Sequence, residues 1–409
     1  MHLNPPPESD RSRTLLLFFA IAFFTSGLAD YGAGLTNQPV AFYLKTVFGW
    51  QPSQVSAYLA ALALPGVITP LYAIVSECLP LFGYRRKTYL LAANLLSVGA
   101  LLCLDRVTEP QQIVAVLFMT AFATAVSSTL CGALMIESAK RQSRSGTYVN
   151  VQWMSYYLAT ALAAFGGGWL TERFAAERAF HVAALVTVVA PAAVLIALWF
   201  LPGEERTRID VSGLKSSARA LLATVRSRSL WLVALFLFFF NFNPGFVTPL
   251  YYHMTDNLHF NQQFIGTLSG IMAIGSVLGG VLCAWLIKRI SLKTLAYVSI
   301  VLGVVSQGAY LLLAGPTSAV VLSLCYGICA MTALVAALAL SAAHCPDRGE
   351  GFAYACLISV GNLSWQLADN VGSALYERVF EHQLAPLVLI SAAFTAVTLL
   401  FLPFLTERK

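Results

Sequence analysis

The sequence predicts an all-α membrane protein with twelve transmembrane helices in two halves of six. Composition is the first observation that predicts this fold class. The 409 residues are 58% hydrophobic and only 11% charged, and their mean hydropathy is +0.73. Because a soluble domain carries about 25% charged residues, a chain of this size could not cover a water-exposed surface with polar groups. The apolar excess therefore faces a lipid bilayer.

The spacing of the apolar segments is the second observation. A helix needs about 20 apolar residues to cross the hydrocarbon core. Predicted spans lie near 15–36, 53–76, 88–104, 111–138, 147–171, 179–201, 230–254, 262–287, 292–314, 317–343, 350–376 and 384–405. They divide the chain into an N-terminal half (1–201), a cytoplasmic central loop (202–228) and a C-terminal half (229–409).

An internal repeat is the third observation. The segment "FGWQPSQVSAYLA" (48–60) aligns with "LHFNQQFIGTLSG" (258–270) at an offset of 210 residues, and the same offset pairs Pro39 with Pro249. Two six-helix units repeated in parallel are the architecture of the major facilitator superfamily. In that architecture a solute binds near the membrane midplane between the halves, and access alternates as the halves rock.

The positive charges predict the orientation. The predicted outer loops hold five of the 25 Lys and Arg residues, which are Lys45, Arg106, Arg173, Arg178 and Arg378, and the other twenty lie on the opposite side. This bias places both termini in the cytoplasm. The apolar run after Arg13 is long enough to span, so we interpret it as a retained first helix rather than a signal peptide. We expect a monomeric multi-pass protein of the cell inner (plasma) membrane.

Several function classes receive no support. The chain has no G-x-x-x-x-G-K-[ST] loop for ATP. Its eight cysteines form no CxxC pair and its six histidines are scattered, so no metal site or other cofactor is expected. Its net charge of +6 lies in short interhelical loops, which argues against nucleic-acid binding. No nucleophile–base pair lies deep in a span, so we predict no enzyme activity, and a membrane-embedded enzyme or scaffold is the alternative of another class.

The stretch 62–90, "LALPGVITPLYAIVSECLPLFGYRRKTYL", resembles the signature of the folate–biopterin transporter family. The matching residues are Pro65, Pro70, Leu71, Tyr72, Ser76, Glu77, Pro80, Gly83, Tyr84, Arg85 and Arg86. The similarity extends to 42–55 and 133–141 and covers most of the chain. It implies a secondary active transporter, driven by protons, for a pterin- or folate-like ring compound.

One physical argument narrows that expectation. Folate is a dianion, and no Lys or Arg lies deep in a predicted span to neutralise it. A neutral or cationic ring compound, such as an unconjugated pterin, suits the acidic and aromatic spans better. The alternative is a proton-coupled exporter of cationic drugs or other organic solutes, for which a carboxylate in span 1 is a natural partner.

Two intramembrane carboxylates are the proton-coupling candidates. Asp30 in span 1 and Asp369 in span 11 lie within apolar segments, where an ionisable group is costly and usually functional. A desolvated carboxylate holds its proton more tightly, so each could load and release a proton as the cavity changes face. Alternatively, each is a solvated residue at a wide cavity mouth.

Polar and aromatic residues in spans 1, 5, 7 and 11 are the candidates for solute binding. Prolines in spans 1 and 7 free backbone carbonyls, which is tolerable where they line a cavity. The candidates are Asn37, Gln38, Gln152, Trp153, Asn241, Asn243, Tyr251, Tyr252, Trp365 and Gln366. Alternatively, Asn37 and Gln38 simply lie at the outer end of span 1, and Trp365 is an interfacial residue.

The turn "YRRK" between spans 2 and 3 is the gating candidate. The superfamily resemblance implies that Arg85, Arg86 and Lys87 act with Glu77 as a cytoplasmic latch, pairing with Glu137 and with Lys140 or Arg141 at the end of span 4. Charge alone predicts only topology. Small residues at 165–170 and 270–280 predict close helix packing in spans 5 and 8.

Overall fold

A computed structural model describes residues 8–142, 145–201, 228–286, 289–343 and 350–406. Within these ranges the regular secondary structure is helical, apart from one isolated bridge between Leu81 and Tyr84. The helices follow one another as twelve spans, which confirms the predicted all-α class. Residues 202–227 of the predicted central loop lie outside the described ranges.

The N-terminal half contains spans 1 to 6. Span 1 comprises α1 (Glu8–Leu28) and α2 (Asn37–Phe48), span 2 comprises α3 (Pro52–Val67) and α4 (Thr69–Cys78), span 3 is α5 (Lys87–Cys103), span 4 is α6 (Pro110–Gln142), span 5 is α7 (Ser145–Arg173), and span 6 comprises α8 (Ala176–Thr187) and α9 (Val189–Ala197). We call the end of the bundle at which α1 begins the inner end, and the opposite end the outer end.

The C-terminal half contains spans 7 to 12. Span 7 comprises α10 (Arg228–Asn241), α11 (Thr248–Tyr252) and a π-helical turn (His253–Asn257), span 8 is α12 (Gln262–Leu286), span 9 is α13 (Leu292–Gly308), span 10 is α14 (Pro316–Ala343), span 11 is α15 (Glu350–Arg378), and span 12 is α16 (Ala385–Val397), followed by α17 (Leu402–Thr406).

Six segments of the described chain are long and apolar enough to cross a membrane. They are Pro52–Tyr72, Pro110–Met135, Ala176–Ala197, Gln262–Leu286, Lys293–Leu312 and Pro316–Ala337. Shorter apolar helices occur in spans 1, 3, 7 and 12. Spans 1 and 7 differ from the continuous helices expected over 15–36 and 230–254, because each is interrupted near its middle.

The repeat is visible in the backbone. Gly49 and His259, which are 210 residues apart, both adopt left-handed conformations, with φ of 65° and 52°. The N–H of Trp50 donates to the carbonyl of Leu44 over 3.2 Å, and the N–H of Phe260 donates to Met254 over 2.9 Å. The same turn therefore connects span 1 to span 2 and span 7 to span 8.

Small residues bring the spans together, as the sequence predicts. Gly168 of span 5 meets Gly266 of span 8 so closely that a methyl group on Gly266 would lie 2.5 Å from the carbonyl oxygen of Ala164. Spans 8 and 10 meet at Gly327, where an added methyl would lie 2.2 Å from the carbonyl oxygen of Met272. Close backbone approach of this kind is a usual source of helix association in membranes.

The apolar core is shared between the halves at the outer end. One cluster of buried side chains contains Tyr43 and Tyr58 from the N-terminal half together with Tyr252 and Tyr376 from the C-terminal half. Towards the inner end, the described residues form a separate cluster in each half, one around Phe19 and one with members from Leu230 to Leu405. The halves are therefore joined by apolar packing mainly at the outer end.

Candidate transport site

The interruption of span 1 is built around Asp30. Helix α1 ends at Leu28 and α2 begins at Asn37. The backbone N–H groups of Gly32 and Ala33 donate to Asp30 Oδ1 over 2.8 and 3.0 Å. An aspartate that accepts from N–H groups two and three residues later stabilises a local turn. The carboxylate thus fixes the non-helical connection between the two parts of the span.

Aromatic residues of span 5 lie beside that carboxylate. The hydroxyl of Tyr156 donates to Asp30 Oδ2 over 3.2 Å. The ring of Trp153 stacks on Tyr157 with 5.9 Å between centroids and meets Tyr156 edge-on at 6.1 Å. Trp153 and the neighbouring Gln152 are half-buried. The structure therefore brings Trp153, a predicted solute-binding residue, to the same region as Asp30.

A small cleft lies against the connection between α1 and α2. Spans 1, 2 and 4 line it, and its polar side chains include Tyr31, Asn37, Tyr58 and Thr120. Asn37 donates its Nδ2 hydrogen to the carbonyl of Tyr31 over 3.0 Å. This predicted solute-binding residue therefore also fastens the turn.

The interruption of span 7 is fixed by Asp369 of span 11. Asp369 is 1% exposed. The N–H of Thr248 donates to its Oδ1 and the hydroxyl of Thr248 donates to its Oδ2, each over 2.9 Å. Thr248 is the first residue of α11, where backbone N–H groups lack partners within the helix and favour a negative charge. Both carboxylate oxygens of Asp369 therefore accept hydrogen bonds from the residue at which the helix of span 7 resumes.

The two asparagines of span 7 have partners within the C-terminal half. Asn243 Oδ1 accepts a hydrogen bond from Gln307 Nε2 over 2.8 Å, and Thr395 donates to Gln307 Oε1 over 3.1 Å. Asn241 donates to the carbonyl of Leu237 over 2.8 Å. The structure shows Asn243 linking span 7 to spans 9 and 12 and Asn241 bonded within span 7, and solute binding by either asparagine remains a prediction.

Charged and aromatic side chains join the halves at the outer end. Lys45 of span 1 forms an ion pair with Asp256 and donates to Thr255 Oγ1. Its Nζ also lies 4.3 Å from the centroid of the Tyr252 ring. The hydroxyl of Tyr252 donates to the carbonyl of Trp50 over 2.6 Å.

Gln262, at the start of span 8, adds a second set of contacts between the halves. Gln38 donates to its carbonyl over 2.6 Å and to its Oε1 over 3.1 Å. Tyr251 donates to the same Oε1 over 3.1 Å, and Glu172 of span 5 accepts from the Gln262 N–H. Spans 2 and 11 meet where the Ser53 N–H donates to Glu377.

We define the outer seal as the pairs Lys45–Asp256, Trp50–Tyr252, Gln38–Gln262 and Ser53–Glu377. Three residues predicted to bind solute, Gln38, Tyr251 and Tyr252, take part in it or contact it directly. A solute entering from the outer end would have to part these contacts.

Trp365 and Gln366 do not form a joint contact surface. Trp365 is 43% exposed, whereas Gln366 is 7% exposed, because consecutive residues of a helix point in different directions. The predicted arrangement, in which Trp365 stacks on a ring and Gln366 hydrogen-bonds it, therefore requires two different faces of span 11.

The gating candidates are only partly described. Arg86 precedes the first residue of α5, and Arg85, Arg86 and Lys87 are partly exposed and have interaction partners. Glu77, Glu137 and Arg141 lie on α4 and α6, but their side chains are outside the described part of the structure. The predicted latch between spans 2 and 4 therefore stays a prediction.

Sequence patterns alone do not mark the following site residues as functional: Lys45, Asp256, Gln262, Tyr156 and Thr248. The sequence does contain a signal for the pair Lys45 and Asp256, since the 210-residue offset places Lys45 opposite Thr255, next to Asp256. Opposite charges at equivalent ends of repeated helices indicate a contact across the pseudo-twofold axis. The charge pattern by itself predicts only a topological role for Lys45.

Comparison with known proteins gives the family. The sequence profile of the Major Facilitator Superfamily matches residues 19–368. The chain belongs to this superfamily. Among curated members it is 26% identical to the folate-biopterin transporter of Synechocystis, over 95% of this chain and 81% of that protein. It is 25% identical to the probable folate-biopterin transporter 2 of Arabidopsis thaliana, over 63% of this chain and 53% of that protein.

The resemblance seen at 62–90 is thereby confirmed. Folate transporter 1 of Plasmodium falciparum is a further relative, 21% identical over 66% of this chain. The chain spans about half of the length of the Plasmodium and Arabidopsis relatives (53% of each).

Solved superfamily structures share the fold. A D-xylose–proton symporter superimposes with a TM-score of 0.72 and 15% identity over 97% of each chain. The nucleoside transporter NupG superimposes with a TM-score of 0.68 and 15% identity, over 97% of this chain and 100% of that one. The superfamily profile and the curated relatives show that the chain is a multi-pass membrane protein and a secondary transporter of a small-molecule solute.

Proposed function

We propose that this transporter is proton-coupled and moves a pterin-like ring compound by alternating access between its halves. The observation that carries the proposal is the position of Asp30, a half-buried carboxylate at the break in span 1, beside aromatic rings of span 5. The names of its relatives, folate-biopterin transporters, support the ring compound. The fold likeness to a D-xylose–proton symporter is compatible with proton coupling.

Asp30 suits the proton-coupling role better than Asp369. Its side chain is half-buried, so it is the more accessible of the two carboxylates to a proton. Asp369 is 1% exposed, and Thr248 occupies both of its oxygens. We therefore assign proton loading to Asp30 and treat Asp369 as the second candidate.

The stacked pair Trp153–Tyr157 is suited to a flat ring. Aromatic faces bind flat rings by offset stacking, and the Asp30 carboxylate accepts hydrogen bonds from ring N–H and amino groups. An unconjugated pterin offers such donors and carries no glutamate carboxylates. Folate would need compensating cations, and no Lys or Arg lies deep in a predicted span.

The orientation and assembly in the proposal follow from the sequence. The distribution of Lys and Arg favours cytoplasmic termini in the inner (plasma) membrane. We treat the transporting unit as a monomer, because a single superfamily chain supplies both halves of the cavity.

Transport by Asp30→Asn in proteoliposomes tests the proposal. The variant should lose accumulation of a labelled pterin under a pH gradient, because it cannot load a proton. It should retain equilibrium exchange, which needs no net proton movement. Glu109→Gln, at an exposed carboxylate just before α6, is the matched control and should accumulate like wild type. Wild-type accumulation by Asp30→Asn would remove Asp30 from the coupling role.

The second candidate function is export of cationic drugs, which the same pairing of a carboxylate with aromatic rings also favours. Measurements of pterin uptake and of efflux-dependent resistance to cationic dyes distinguish pterin transport from drug export. A ligand-stabilisation screen of purified protein with pterins, folates, siderophore-like chelates and cationic dyes gives an independent result.

A further inference from the structure

Beyond the proposed function, we propose that a groove on the membrane-facing side of the N-terminal half binds an acyl chain of a phospholipid. The groove has a volume of about 430 Å³ and lies between spans 1, 5 and 6. Its walls come from the stretch 20–28 of α1, from Ser155 and Leu158 of α7, and from the stretch 189–193 of α9, and no charged residue lines it. We call it the 1–5–6 groove.

The 1–5–6 groove opens towards lipid. Leu158 of span 5 is 56% exposed and Val189 of span 6 is 64% exposed, and both line the groove. Leu158 belongs to a row of exposed apolar side chains with Met154 and Leu162, spaced about one helical turn apart. On a helix that crosses the bilayer, such a row faces the hydrocarbon rather than water.

The depth of the groove decides what reaches it. Its wall in α1, residues 20–28, lies at the centre of the predicted span 15–36. At that depth a bilayer offers hydrocarbon tails and neither headgroups nor water. Thr25, one of the two hydroxyl-bearing residues of the groove, donates to the carbonyl of Ala22 over 2.9 Å. A hydrocarbon chain can therefore lie against α1 without depriving this hydroxyl of its partner.

Two features of the sequence leave this space open. Span 6 is interrupted between α8 and α9, and Pro191 in α9 has no N–H to donate to the carbonyl four residues earlier. The walls also carry small side chains where spans 1 and 6 face each other, Ala20 on α1 and Ala190 and Ala193 on α9. Alanine methyl groups are too short to fill the gap between the two helices.

The equivalent interface of the C-terminal half is filled by the protein itself. Spans 7 and 12 are the repeats of spans 1 and 6. Phe239 of span 7 stacks on Phe394 of span 12 and on Phe401, directly before α17, with 5.6 and 5.7 Å between centroids. Phe242 lies 4.5 Å from Phe394. One half thus supplies aromatic rings where the other supplies alanines, and we infer that hydrocarbon from the bilayer takes the place of those rings.

The volume and shape of the groove suit an acyl chain. An apolar cavity of about 150 Å³ binds benzene, so the 1–5–6 groove has room for a longer piece of hydrocarbon. A chain in the groove contacts three helices, whereas a lipid on a convex face contacts fewer atoms. Because lipid tails are as apolar as the walls, dispersion contacts rather than the hydrophobic effect keep the chain in place.

A phosphatidylethanolamine that carries a photoreactive diazirine in the middle of one acyl chain tests the inference. Full-length protein in nanodiscs of phosphatidylethanolamine and phosphatidylglycerol, with a small fraction of this lipid, is irradiated, and the labelled residues are mapped by mass spectrometry. In wild type, the yield of label should be higher at residues of the 1–5–6 groove than at other exposed apolar residues, such as Leu162 and Val305. The interface of Phe239 and Phe394 should show no such excess.

Variants that fill the groove make the result specific. Ala193→Phe, and independently Ala20→Phe, place a ring in it from the wall in span 6 or span 1, so the excess of label should be lost. Ile196→Phe adds a ring to span 6 outside the groove, at a position that is 66% exposed, and should label like wild type. Removal of lipid should lower the melting temperature of Ala193→Phe less than that of Ile196→Phe, because the ring substitutes for the chain.

Wild-type protein without an excess of label in the groove would overturn the inference, whether the groove is empty or a second copy of the chain covers it. That measurement needs no variant, so it decides the question even if the ring-bearing variants fail to fold. An excess of label that persists in Ala193→Phe and Ala20→Phe would also overturn it. Neither result depends on the solute or on proton coupling, so the inference and the proposed function can fail separately.

Discussion

The interruptions of spans 1 and 7 occupy equivalent places in the repeat, and a carboxylate fixes each of them. The two carboxylates differ in how far along the chain they lie from the backbone that they hold. In span 1, Asp30 bonds N–H groups two and three residues along its own chain. In span 7, Thr248 receives its partner from Asp369, 121 residues away in span 11. Asp30 is half-buried and Asp369 is almost fully buried.

This difference predicts that the break in span 1 rearranges more easily than the break in span 7. Loosening the turn at Asp30 costs span 5 one hydrogen bond, from Tyr156, whereas losing the Asp369 contact removes both hydrogen bonds by which Thr248 of span 7 is held to span 11. We infer that span 1 carries the conformational change at the outer end and that span 7 serves as the fixed side.

The largest expected effect tests how firmly span 7 is held. Gly372→Ala places a methyl group 1.8 Å from the carbonyl oxygen of Pro244, so the backbones of spans 7 and 11 must separate. Gly27→Ala, at the corresponding contact of spans 1 and 5, meets the Tyr156 carbonyl at 2.6 Å. Overpacking costs about 1–3 kcal/mol and occasionally more, and we expect Gly372→Ala at or above that range.

Melting temperatures of the purified variants in detergent give the measurement. Gly99→Ala is the control, because no atom lies within 4 Å of its added methyl group. If Gly27→Ala lowers the melting temperature more than Gly372→Ala, the fixed and movable sides have been assigned the wrong way round.

The second effect compares the two carboxylates directly. Asp369→Asn leaves one of the two Thr248 donors without a good acceptor in a buried place, at a cost of about 1–3 kcal/mol. Asp30→Asn should cost less, since water can reach a half-buried site and replace part of what is lost. The melting temperature should therefore fall further for Asp369→Asn. Equal losses would mean that burial does not distinguish the two sites.

The smallest effect concerns the turn that both halves repeat. Gly49 and His259 are both left-handed, and only glycine adopts that conformation without steric cost. No atom lies within 4 Å of a methyl group added to Gly49, so Gly49→Ala should destabilise by roughly 1–2 kcal/mol through the backbone alone. His259→Gly should stabilise by less than about 1 kcal/mol, because the unfolded chain also gains freedom. Thermal unfolding of both variants would check the opposite signs.

Much of the fold could be predicted because the bilayer imposes simple rules. Apolar length gives the spans, and the 210-residue repeat anticipates the shared turn at Gly49 and His259. Asp30 and Asp369 were found because a charge within an apolar segment is costly. Their partners Tyr156 and Thr248 could not be found this way, since polar residues of ordinary type become partners only through packing between spans.

The breaks themselves illustrate a second limit. Residues 29–36 are neutral apart from Asp30, so hydropathy continues through them while the helix does not. Prolines predict that spans 1 and 7 are irregular, but the carboxylate that fixes each break follows only from packing. The inner latch of Glu77, Glu137 and Arg141 remains a prediction from the resemblance.

The apolar cluster shared by the two halves at the outer end has a thermal consequence. With that end closed, side chains from both halves, such as Tyr43, Tyr252 and Tyr376, lie buried in one cluster. Burial of apolar surface lowers the heat capacity, and the attraction that it provides weakens on cooling. The balance between the two faces of the transporter should therefore shift with temperature, and a cold membrane should contain more molecules open to the outside than a warm one.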